Sequence, residues 1–170
     1  MMVAVSHVAM AAEESYTLDP DHTYPNFTIN HLGFSTMHGR FNKTSGSFKL
    51  DRAAMTGSVN VTIAAASVDT GMKKRDDHLR KADFLNAVEF PTITFVADNV
   101  KLNKNGSGRI NGQLTMVGVT NPVHLKVDAM NCAPHPMDPS KTKFVCGFDA
   151  KATIKRSDFG IKYGLPAIGD

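Results

Sequence analysis

From Tyr16 onward, apolar and polar residues alternate in one stretch after another, and this period of two restricts the fold more than any other feature. Pro25, Phe27, Ile29 and His31 alternate with Asn26, Thr28 and Asn30, and Phe48 and Leu50 point inward from the stretch Gly46–Asp51. Val59, Val61 and Ile63 alternate with Asn60 and Thr62, and Ile93 and Phe95 with Thr92 and Thr94. Ile110, Gly112, Leu114 and Met116 form one face, and Val123, Leu125, Val127 and Ala129 form the face of the strand that returns. A last run sets Phe144, Cys146, Phe148, Ala150, Ala152 and Ile154 against Lys143, Asp149, Lys151 and Thr153. Turn composition separates the runs at 103–108, and a tight connection is expected over 118–122. About seven such strands predict an all-β antiparallel sheet with one wet face. Ten phenylalanines without a tryptophan suggest a lining rather than a single-layer core. A barrel of about eight strands, just wide enough for one slender ligand, is therefore preferred. A sandwich or a filled core stays open.

One segment departs from this period. From Met72 a spacing of about 100° per residue puts Met72, Arg75, Asp76, Leu79, Ala82 and Asp83 on one helical face. Lys74, Asp77 and Lys81 fall on the other, with Asp77 and Lys81 spaced as an ion pair. A short helix is expected after the third to fourth strand, capping one end of the barrel. Its inward face mixes apolar residues with an arginine and two aspartates. Such a face either ties the helix down through an ionic network or stands at the mouth of a cavity.

With 170 residues, 42 % hydrophobic and 21 % charged, the chain suits one domain with a sizeable core. No apolar run approaches the roughly 18 residues of a membrane-spanning helix. A net charge of +3 with mixed signs gives no clustered basic footprint, so nucleic acid is not expected as a partner. Transient contact with a membrane surface is compatible with it. Residues 1–12 are small and apolar, and Ala9-Met10-Ala11 resembles a secretory cleavage site. They read as the remnant of a secretory signal peptide or as a disordered leader, with one domain over 13–170. A bridge between Cys132 and Cys146 would close a loop worth about 3 kcal/mol in the chain-entropy model. An oxidising compartment would form it; two reduced, packed cysteines are the alternative. Three prolines between them argue against regular structure there. No second cysteine pair is present, and the seven histidines show no ligand spacing, so no metal is expected.

Several short motifs recur in a fixed order: His31-Leu32-Gly33-Phe34-Ser35; Gly39-Arg40-Phe41; Arg75-Asp76 with His78-Leu79-Arg80 and Asp83-Phe84; Phe90-Pro91 with Thr94-Phe95; Gly112 with Leu114-Thr115; Gly118-Val119-Thr120 with Pro122-Val123; and Ser157-Asp158-Phe159-Gly160-Ile161. Each is weak alone. Together, over about residues 16–170, they resemble the YceI-like family of polyisoprenoid-binding proteins. The resemblance implies a lipocalin-like antiparallel barrel, periplasmic or secreted in bacteria, that holds an isoprenoid chain of ubiquinone or polyprenyl type. It implies no enzyme activity and no catalytic cofactor, and it is compatible with a homodimer. Two departures stand out. Members usually continue past Ile168-Gly169-Asp170 with one more alternating strand, so a domain lacking its last strand, with an open edge, is expected. Pro25 stands where an apolar, often β-branched residue is usual, which suggests an edge or bulge.

Burying prenyl carbons gives about 0.8 kcal/mol per CH₂, against about 1 kcal/mol for one net hydrogen bond. The tail would set affinity, and polar groups at the mouth would select the head. The expected apolar lining is Phe27, Ile29, Phe34, Phe41, Phe48, Val61, Ile63, Leu79, Phe84, Phe95, Leu114, Leu125, Phe148, Ile154 and Phe159. Each could equally be core. His31, Arg75, Asp76, His78, Arg80 and Asp83 are the polar candidates; the alternative is that Arg75 and Arg80 pair with aspartates and pin the helix. An enzyme built on His31, His78 and an aspartate finds no nucleophile elbow, zinc-protease motif or phosphate loop in support. A stress-related interaction protein that docks a partner through its open edge, or through the basic stretch 151–162, is the third class.

Overall fold

The computed structural model describes residues 13–170; the expected leader at 1–12 lies outside them. Ten strands follow one another: β1 (Glu14–Thr17), β2 (Asn26–His31), β3 (Ser35–Phe41), β4 (Thr44–Asp51), β5 (Thr56–Ala64), β6 (Val68–Asp69), β7 (Thr92–Lys101), β8 (Gly108–Met116), β9 (Val119–Pro134) and β10 (Phe144–Lys151). A 3₁₀ turn at Ala65–Ser67 links β5 to β6, helix α1 (Lys73–Leu79) follows β6, and a second 3₁₀ turn spans Arg156–Phe159.

The strands form a seven-stranded antiparallel sheet in the order β1-β4-β5-β7-β8-β9-β10 and a three-stranded sheet, β2-β3-β6. The long sheet curls into a half-barrel, the lipocalin-like arrangement expected. Among the described residues β1 and β10 are not paired, so the curl does not close. Alternation becomes burial directly. Phe48 and Leu50 are buried on β4, Val59 on β5, Ile93, Phe95 and Ala97 on β7, and Val123 and Val127 on β9.

Four local expectations change. The helix comes after the sixth strand, because the short β6 pairs with β3 before the chain turns up into α1. The connection expected over 118–122 is a two-residue turn at Val117–Gly118, with φ of 51° and 74°, and β9 already begins at Val119. The prolines do not exclude strand near the cysteines. Ala133 and Pro134 continue β9, pairing with Val145 and Phe144 at the edge of the sheet, where a missing N–H is tolerated. Beyond Phe148 a register shift interrupts the β10–β9 pairing, and the strand stops at Lys151, leaving Ala152 and Ile154 outside it. Cys132 and Cys146 face each other across β9 and β10 and form a disulfide.

Candidate lipid-binding site

The inward faces of β4, β5, β7 and β8 line up in register. Gly46 lies opposite Val61, Val61 opposite Phe95, and Phe95 opposite Leu114. Along the neighbouring row Phe48 meets Val59, and Val59 meets Ala97. Two glycines make room for aromatic rings. A Cβ at Gly112 would strike the Phe95 ring, and one at Gly39 would strike the Phe27 ring from across the β2–β3 pair. Both rings therefore lie flat on the neighbouring strand. Phe27 also meets Phe41 at 5.7 Å between ring centroids.

Burial divides the expected lining into three groups. Phe48, Phe95 and Phe159 are buried. Phe27, Ile29, Phe41, Val61, Ile63, Leu79, Phe84, Leu114 and Leu125 are half-buried, and all but Ile29 pack against the buried core. The third group departs from expectation. Phe34 is 91 % exposed, because Leu32 and Gly33 take positive φ in the β2–β3 turn and leave Phe34 on its outer side. Phe148 and Ile154 sit at the threshold of exposure, 36 % each. Phe148 lies on the edge strand yet reaches Phe48 at 6.0 Å, and Ile154 lies between β10 and the second 3₁₀ turn. At that end Phe48, Leu102, Ile110, Val127, Met130 and Phe148 line an apolar crevice too tight to admit water.

The polar candidates largely gather on α1 and the turns after it. Asp76 is buried and accepts hydrogen bonds from the Thr70 amide (2.9 Å) and hydroxyl. Arg75 donates to the Thr70 hydroxyl (2.7 Å) and carbonyl (2.8 Å) rather than to an aspartate. Arg80 holds the helix to the 3₁₀ turn. It donates to the carbonyls of Ala66 (2.7 Å) and Val68 (2.8 Å) and pairs with Asp77 (3.0 Å). Asp77, expected to pair with Lys81, instead takes Lys73 at 2.6 Å, and that contact is the main cause of its lowered pKa. The reason is length: α1 ends at Leu79 with Arg80 as its C-cap, so Lys81, Ala82 and Asp83 no longer follow helical angles. Ala82 and Asp83 are exposed, as is Met72 at the N-cap.

His78 meets Asp83 at 2.9 Å and stands edge-on to Phe84 (5.0 Å) and Tyr163 (5.2 Å). Tyr163 was not among the sequence candidates, and neither was Arg156. The Arg156 guanidinium is buried and donates to the carbonyls of Gly169 (2.7 Å), Ile161 (3.1 Å) and Ile168 (3.2 Å), fastening the C-terminal segment beside the helix. It also stands 6.0 Å from the Phe84 ring. No sequence spacing marks these two residues, since their partners lie on other segments. Among the described residues the His31 side chain makes no hydrogen bond to this group. It is exposed at the end of β2 and bridges Ile168 through the backbone, at the opposite end of its hairpin from the Arg40–Asp69 pairing that leads to α1. Among the described residues no cluster of metal-ligating side chains is found.

The YceI-like domain family matches residues 16–170. The chain belongs to the YceI-like family. A UPF0312 protein of Pseudomonas aeruginosa is 42 % identical over 158 residues, 92 % of this chain and 80 % of that one. Protein YceI of Escherichia coli is 40 % identical over 159 residues, with the same coverage. Among solved structures, the YceI protein of Campylobacter jejuni matches with a TM-score of 0.68 at 32 % identity, over 90 % of this chain and 91 % of that one. A polyisoprenoid-binding domain from Saccharophagus degradans shares the fold, with a TM-score of 0.60 at 18 % identity over 88 % and 82 %.

Proposed function

We propose that this YceI-like protein binds a long-chain isoprenoid lipid, of ubiquinone or polyprenyl type, and carries or sequesters it in the bacterial periplasm. The observation that carries this reading is that Phe27, Phe41, Val61, Ile63 and Leu114 stay half-buried against the core of a curl that does not close among the described residues. The crevice at the other end is too tight to admit even a water molecule, and on this reading the prenyl tail lies along the half-covered face. Its burial, at about 0.8 kcal/mol per CH₂, sets affinity. The polyisoprenoid-binding function of the S. degradans domain supports the ligand class through shared fold, and the Cys132–Cys146 disulfide supports an oxidising compartment. The reading includes no catalytic step.

A second reading rests on the edges of β1 and β10, which are unpaired among the described residues. Such edges pair readily with another chain, which would make the protein a docking module or a homodimer without cargo. Organic extraction of protein purified gently from a bacterial envelope fraction decides between the two. A prenyl lipid found by mass spectrometry at one per chain, with the same mass in the native complex, supports the carrier. Protein that is empty in repeated preparations overturns it in favour of the docking module.

A further inference from the structure

Thr44 is 5 % exposed, and its hydroxyl is enclosed with no hydrogen-bond partner among the described residues. It is the first residue of β4 and shares the inward face of that strand with Phe48 and Leu50. Its cross-strand neighbour is Ile63, and the next residue in the row is Ile93. The hydroxyl is thus set into an apolar row. Its position relative to the cap is fixed by the backbone on either side. The Lys43 amide donates to the Ser67 hydroxyl (3.1 Å), and the Ala64 amide donates to the Lys43 carbonyl (3.0 Å). Thr44 therefore lies beside the 3₁₀ turn on which Arg80 anchors α1.

A buried hydroxyl without a partner is unfavourable, and an apolar group of the same shape would remove that cost. Valine has this shape and a β-branch equally suited to a strand. A lipid oxygen brought beside the hydroxyl would supply the partner it lacks. We propose that Thr44 is a specificity residue, hydrogen-bonding an oxygen function of the bound lipid beneath the α1 cap. This rests on the carrier reading above and deepens it. The cargo would be an oxygenated isoprenoid, with its oxygen at the cap and its tail along Val61, Ile63 and Leu114, rather than a plain hydrocarbon. A site built to pair with a substrate oxygen discriminates strongly against an analogue lacking it, because the buried group is then left unpaired.

The test uses the full chain, Thr44→Val and Thr44→Ser, with two probes: a short-tailed ubiquinone and squalene. Binding is followed by titration calorimetry, and the melting midpoint is measured without ligand. Thr44→Val is expected to melt no lower than the parent, to bind the quinone about tenfold more weakly, about 1.4 kcal/mol, and to bind squalene unchanged. Thr44→Ser keeps quinone affinity. Unchanged quinone binding in Thr44→Val, equal losses for both probes, or a lower melting midpoint would each overturn the assignment. A parent that binds squalene but not the quinone overturns it while leaving the carrier reading standing; a parent that binds neither overturns both.

Discussion

The two ends of the half-barrel present inward-facing apolar residues in the same alternating pattern but treat them differently. At the end formed by the β4–β5 and β8–β9 termini, Leu50, Val100, Leu102, Ile110, Val127 and Met130 are all buried, Leu50 completely. Toward α1 and the three-stranded sheet Val68, Ile93 and Phe159 are buried as well, but Phe27, Phe41, Val61, Ile63 and Leu114 stay half-buried. A solid end carries stability, and an incompletely covered one leaves apolar area for a partner to bury. On the carrier reading proposed above, the protein separates the work of holding its fold from the work of holding a ligand along the length of the same strands.

Truncation should show the largest contrast. Leu50→Ala is expected to lower unfolding free energy by about 2–5 kcal/mol, through lost transfer energy and the cavity left behind. Leu114→Ala, whose side chain is partly solvated in the folded state, should cost about 1 kcal/mol. Urea denaturation measures both, and equal losses would break the comparison. Next comes a charge on the half-covered face. Phe27→Glu should keep the fold, since water reaches the site, at a cost of about 1–2 kcal/mol, yet abolish lipid retention in organic extracts. A folded variant that retains lipid would remove Phe27 from the site.

The smallest effect belongs to the outer surface. Asp128 is held between Lys126 and Lys151, each at 2.9 Å; their hydrogen bonds and charge lower its pKa from 3.8 to about 2. A lowered carboxylate pKa stabilises above the unfolded value and loses that contribution as pH falls through the folded one. The difference in urea midpoint between Asp128→Asn and the parent should therefore be small and constant near neutrality and should fade between about pH 4 and pH 2. It should also shrink in salt, as exposed pairs do. A difference that persists at the lowest pH would contradict this.

Much of the fold was legible from period-two patterning, because a residue's face on a strand is a local property. Phe48, Leu50, Val59, Phe95 and Val127 show it: each points inward as its alternation required. Helix geometry was readable only as far as the helix ran. Arg75, Asp76 and Leu79 turn toward the protein, whereas Ala82 and Asp83, placed by the same angle, lie past its end and face solvent. The head-end chemistry was partly hidden. Asp76 and Arg75 were visible as candidates, but their common partner Thr70 was not, and nothing in the local pattern ties Tyr163 to His78 or Arg156 to the carbonyl oxygens of Ile161, Ile168 and Gly169.

The sequence by itself determined which residues face inward, where the chain breaks strand for helix, and that the chain resembles the YceI-like family. Only the tertiary structure decided which inward residues are covered, which polar groups find partners, and that the buried Thr44 hydroxyl has none among the described residues. Side-chain direction follows from the backbone period within a few residues, but coverage and hydrogen bonding depend on how distant strands curl around one another. Val61 and Phe95 sit opposite each other on paired strands, with the same inward direction; one is half-buried and the other buried.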